Sequence, residues 1–61
     1  MTPAEFIVWR QRMGLNRTQA AEALGVSKNM PKKYEEGTAP ISRLVALGCA
    51  ALIRGIPPWP G

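Results

Sequence analysis

Two short strings limit this fold more than anything else in the chain: Thr2-Pro3-Ala4-Glu5 and Asn16-Arg17-Thr18-Gln19. Each has the form of a capping box. The Thr or Asn side chain accepts from the backbone three residues on, and the Glu or Gln found there reaches back to the cap amide. Pro3 falls at the first helical position, where a missing N–H costs little. Helices are therefore expected to begin at residues 3 and 17. Gly14 stops the first and Gly25 the second, since glycine takes the left-handed conformation that closes a helix. Ser27 reads as a third cap, with a helix running to Glu36 and Gly37 as its stop. A fourth helix is expected over 41–54, halted by Gly55. The tail, 55–61, is Pro-rich and not helical. No strand alternation and no repeat interrupts this series. The expectation is an all-α chain: one domain, 1–61, folded as a compact bundle of four or five short helices.

Helical spacing puts Phe6, Trp9, Arg10 and Met13 on one face of the first helix. Ala20, Ala21, Ala23 and Leu24 make the second a small-residue helix that others can approach closely, and Val26 reads as a core plug after it. Sixty-one residues bury only about 60% of the surface the unfolded chain exposes, so stability is marginal. The single cysteine, Cys49, excludes an intrachain disulfide. With no histidine beside it, no metal site is expected, and no cofactor. Cys49 lies in an apolar run and reads as a small buried residue rather than a reactive thiol.

That run, Leu44 to Ile53, is ten residues without a polar side chain. A bilayer needs about twenty, and no secretory pattern opens the chain. A soluble, cytoplasmic protein with no membrane contact is expected. Ile41, Leu44, Val45, Gly48 and Leu52 form one apolar stripe, but one stripe would suffice to cover a core. A helix apolar nearly all round needs a second cover. Another copy of the chain is the expected one, meeting Leu47, Ala50, Ala51, Ile53 and Trp59. The Pro-rich tail could lie across the partner or fold back on its own core.

Eight Lys and Arg stand against four Glu, for a net charge of +4. That bias favours a polyanionic partner. The cations gather around the third helix, and a short turn containing Gly25 joins it to the second. This spacing sets two helices at about 90–120°. The stretch "LNRTQAAEALGVSKNMPKKYEEG", Leu15 to Gly37, resembles the Cro/phage-repressor, or Xre-like, helix-turn-helix family, whose fold is the lambda-repressor-like DNA-binding domain. The resemblance is carried by Gly14, Leu15, Asn16, Ala21, Gly25, Val26, Ser27, Tyr34, Glu35 and Gly37, with the helix-turn-helix over 16–37. It extends back to Arg10, which in this family often pairs with the Glu at position 35. It implies a sequence-specific regulator that binds double-stranded DNA. Lys28, Asn29, Lys32 and Lys33 would face base edges. Lys donates to guanine O6 and N7, and Asn can pair with adenine. Arg17, Ser27, Thr38 and Arg43 would hold the DNA backbone. At position 17 the family usually carries a phosphate-contacting Gln, so Arg is a departure. Trp9 and Tyr34 read as core; Met30 suits packing or a thymine methyl equally.

Pro31 also departs from the family, which has Val or Ile there, pointing inward. After a cap at Ser27, Pro31 would fall fourth, and it disfavours helical geometry at Met30. A delayed first turn is expected, with Asn29 able to take over as cap; the other reading is a tolerated helix start without functional meaning. With no effector domain, no small-molecule effector is expected. The implied function is a homodimeric repressor, or autorepressor, of a phage or mobile-element promoter, acting at a palindromic operator. Anti-CRISPR-associated repressors and antitoxins resemble this pattern too. The alternative is an antitoxin or protein-interaction module that keeps the helix-turn-helix as scaffold. No nucleophile with a nearby base and no phosphate-cradling loop suggests an enzyme.

Overall fold

A computed structural model describes residues 1–60; Gly61, the end of the expected tail, lies outside the described residues. Four helices follow in order: α1 (Pro3–Met13), α2 (Arg17–Leu24), α3 (Met30–Glu36) and α4 (Arg43–Ile53). Among the described residues there is no strand.

The capping boxes start α1 and α2 as their sequences require. Thr2 Oγ1 accepts from the Glu5 amide at 3.1 Å, and the Thr2 amide donates to Glu5 Oε1 at 2.7 Å. Asn16 and Gln19 exchange the equivalent bonds at 2.8 and 3.0 Å. Gly25 closes α2 at φ +73°. Its N–H reaches the Glu22 carbonyl at 3.2 Å, and the Val26 N–H reaches Ala21 at 3.0 Å. This double closure satisfies carbonyls that the helix end would leave unpaired. It needs a left-handed residue, which glycine supplies without a Cβ penalty.

Two aromatic residues of α1 join the bundle. Phe6 has no exposed surface. Its ring lies 5.3 Å from that of Trp9 and 5.3 Å from that of Tyr34 on α3. Trp9 donates its indole N–H to the Cys49 carbonyl of α4 at 2.9 Å. Burying an indole would otherwise strand that donor. Ala20 and Ala21 of α2 are also fully buried. Met13, Leu15, Leu24, Met30, Ala39, Ile41, Val45 and Leu52 close around this centre. Val26, expected as a core plug, is only half-buried and does not join that cluster; its amide serves the α2 closure instead.

Helix α4 begins later than expected, at Arg43. Ser42 caps it, its hydroxyl accepting from the Val45 amide at 3.2 Å. The expected inner stripe also needs correction. Ile41, Val45 and Leu52 pack on the core, but Leu44 is 79% exposed. At Gly48, α4 comes close to α2: a Cβ there would meet Leu24 Cδ2 at 3.2 Å.

Cys49 is buried, and burial pushes its thiol from an ordinary value near 9.0 up to about 11. The unfolded thiol ionises first as pH rises. The native state then binds the extra proton, so the Cys49 contribution is intact below pH 9 and is lost between about 9 and 11. The urea midpoint of the wild-type chain should fall more steeply across that window than that of Cys49→Ala. Parallel curves would mean that the thiol is hydrated in the native state.

Candidate nucleic-acid interface

Between Gly25 and α3 the chain makes a turn that Pro31 dictates. Pro31 has no N–H to offer the Ser27 carbonyl, the bond that would open a helix capped by Ser27. The Met30 amide takes that carbonyl instead, at 2.9 Å. Lys28 and Asn29 are thereby left in the turn, and α3 begins at Met30. The expected delay of the first turn is present, and Ser27 is not the cap. Asn29 holds the cap position, but with φ −84° and ψ −13° it makes no capping bond. Pro31 becomes the second helical residue, where no intrahelical donor is needed. Its ring is fully buried under the helix.

This local structure opens a hollow of about 490 Å³ lined by Arg17, Lys28, Asn29, Lys32, Lys33, Glu36 and Thr38. Six of the eight residues expected to meet DNA are thus brought together. Lys28, Lys32 and Lys33 are all the lysines of the chain. The four cations here face one acid, Glu36, which sequence reasoning missed; its place four residues after Lys32 was the available signal. The Thr38 amide and hydroxyl both donate to the Lys33 carbonyl, at 3.0 and 3.3 Å, fixing the rim of the hollow to the end of α3. Ser27 and Arg43 do not line it. Both are exposed, with Arg43 at the first turn of α4.

The Arg10–Glu35 pair forms as the resemblance implied. Arg10 Nε donates to Glu35 Oε2 at 2.7 Å, and its Nη1 donates to the Leu15 carbonyl at 3.1 Å. Arg17 also reaches Glu35, with Nη2 3.3 Å from Oε1. Eighteen residues of separation left no local pattern to reveal that second pair.

The residues expected at an interface between copies divide. Leu47, Ala50 and Ile53 are exposed on α4, and Trp59 is 93% exposed. Ala51 is half-buried and lines a groove of about 210 Å³ with Ala23 and Leu24 of α2 and with Ile56, Pro57 and Pro58. Ile56, Pro57 and Pro58 thus form one wall of a groove whose other walls are α2 and α4. No helix among the described residues is long and apolar enough to cross a membrane.

Compared with known proteins, the chain matches no family model, no curated protein and no solved structure at a significant level.

Proposed function

We propose that the chain is a sequence-specific double-stranded DNA-binding transcriptional regulator. It acts as a homodimeric repressor, or autorepressor, of a phage or mobile-element promoter, at a palindromic operator. The observation that carries this reading is the convergence of Arg17, Lys28, Asn29, Lys32, Lys33 and Thr38 on one open hollow. A solvated lysine face needs no such convergence. A phosphate backbone does, because affinity for DNA comes largely from the phosphates that cations neutralise. The α3 cylinder, about 10–12 Å across with its side chains, matches a major groove about 12 Å wide. In this reading α3 and the preceding turn enter the groove, while Arg17 and Thr38 hold the strands on either side. Ser27 and Arg43 are left with at most peripheral backbone contacts.

The dimer reading is supported by the outer face of α4. Leu44 and Leu47 present apolar surface there, and Trp59 of the tail is almost fully exposed. A second copy across this face would set two α3 helices about one DNA turn apart. Selection of bound duplexes from a random pool, followed by salt titration of the winner, tests the whole reading. The expected result is a palindrome with half-sites one turn apart and affinity that falls steeply with salt. A pool that does not enrich would reject DNA recognition. Enrichment of asymmetric sites would reject the twofold dimer.

A further inference from the structure

One carboxylate serves two guanidinium groups. Glu35 Oε2 accepts from Arg10 Nε at 2.7 Å, and Oε1 accepts from Arg10 Nη2 at 3.3 Å. The same Oε1 accepts from Arg17 Nε and Nη2, at 3.4 and 3.3 Å. The two arginines are not equivalent. Arg10 is 19% exposed and is held from three sides, counting its bond to Leu15. Arg17 is 48% exposed and touches Glu35 only along one edge of its fork. The carboxylate itself is 5% exposed.

The charges do not cancel. Arg10 neutralises Glu35, so the charge of Arg17 is surplus. It stands on the rim of a hollow that already holds three lysines. It also opens α2, a helix with no acidic residue in its first turn. A cation at a helix N-terminus opposes the helix dipole. For folding alone this is a poor place for an arginine, and an outside anion would relieve it. A guanidinium has five N–H donors in a rigid fork. Arg17 lends an edge to Glu35 and keeps the opposite edge for an acceptor that is not part of the chain.

We propose that Glu35 is the positioning residue for a phosphate contact made by Arg17, holding one edge of its guanidinium so that the other meets a phosphodiester oxygen of the DNA backbone. This inference rests on the DNA-binding reading. Arginine is suited to the task because its fork binds carboxylate and phosphate geometry in two directions at once, which a lysine ammonium does not.

The test is a mutant cycle read by affinity for the selected duplex across salt concentrations, each variant first checked by its thermal melt. Arg17→Ala should weaken binding to all duplexes alike, by roughly tenfold, and lower the salt slope by about 0.9 per protomer. Arg17→Lys keeps the charge and loses the fork; it should weaken binding several-fold with the slope retained. Glu35→Gln raises the net charge from +4 to +5 by removing one negative charge. If charge alone mattered, Glu35→Gln would tighten binding. Positioning requires that it weaken binding when Arg17 is present and tighten it slightly in the Arg17→Ala background. Tightening in both backgrounds overturns the proposal. Should Glu35→Gln fail to fold, Arg17→Lys decides, since wild-type affinity from that variant would show that neither fork nor anchor is used. A wild-type chain that binds no duplex removes the DNA reading itself; a wild-type chain that binds, with an additive cycle, removes only the role of Glu35.

Discussion

Phe6→Ala should remove a large share of the chain's stability and lower its thermal transition steeply. Phe6 is fully buried, and its ring contacts those of Trp9 and Tyr34. Truncating a buried phenylalanine costs about 3–5 kcal/mol. A chain of 61 residues at the usual 0.05–0.15 kcal/mol per residue has roughly 3–9 kcal/mol in total. The loss therefore takes from about a third to all of the available stability. The hole would lie where α1 meets α3, with no intrachain disulfide to hold the remainder. Circular dichroism during a thermal ramp should show the sharp transition of the wild-type chain replaced by a broad, early one. Leu44→Ala is the matched control. Leu44 is 79% exposed, so its loss should move the transition of the monomer by no more than about 0.5 kcal/mol. If copies associate across α4 as proposed, the same change should lower the transition further at high protein concentration. A Phe6→Ala chain that still melted sharply within a few degrees of wild type would mean that the core is not centred on this ring.

What could be read in advance follows from how local each determinant is. The capping boxes at Thr2 and Asn16 act over three residues, and the stops at Gly14, Gly25 and Gly37 act over five. Helix boundaries set by such bonds are legible because no distant part of the chain can change them. The face formed by Phe6, Trp9, Arg10 and Met13 was legible for a second reason: polar neighbours phase it. Helix α4 lacks that help. Ten apolar residues in a row contain no polar residue to say which side faces water, so nothing in the stripe of Ile41, Leu44, Val45, Gly48 and Leu52 marks Leu44 as the member that points out. Its start differs for another reason: Ile41 packs on the core from outside the helix, so the apolar pattern begins before the cap at Ser42. The delayed start of α3 was foreseen from the missing N–H of Pro31. That Asn29 would hold the cap position without a capping bond was not, since its φ and ψ depend on how the Ser27 carbonyl is shared. The pair between Arg17 and Glu35 had no local signal. It depends on how the start of α2 meets the end of α3, which the tertiary fold decides.

If the chain binds DNA as proposed, Lys33→Ala should cost it most of its specific binding while leaving its fold intact. Lys33 is exposed, and its side chain lines the hollow. Only its backbone carbonyl serves the structure, accepting from the Thr38 amide at 3.0 Å. Alanine keeps that carbonyl, so stability should stay within about 0.5 kcal/mol of wild type. A lysine that reads a base edge contributes about 1–3 kcal/mol of discrimination. In a twofold complex both half-sites lose it, so the effect on the operator complex is about twice that if the half-sites act independently. Affinity for the selected palindrome should therefore fall by at least about thirtyfold, with preference relaxed at one symmetric pair of positions. Arg12→Ala, a change to an exposed α1 cation outside the hollow, should leave both affinity and preference near wild type. The pattern of loss matters more than its size. A uniform loss on every sequence, with a shallower salt slope, would move Lys33 to the DNA backbone and leave Lys28, Asn29 and Lys32 as the reading set. A loss equal to that of Arg12→Ala would mean that net charge, not the hollow, attracts the DNA, and the convergence of these side chains would need another ligand.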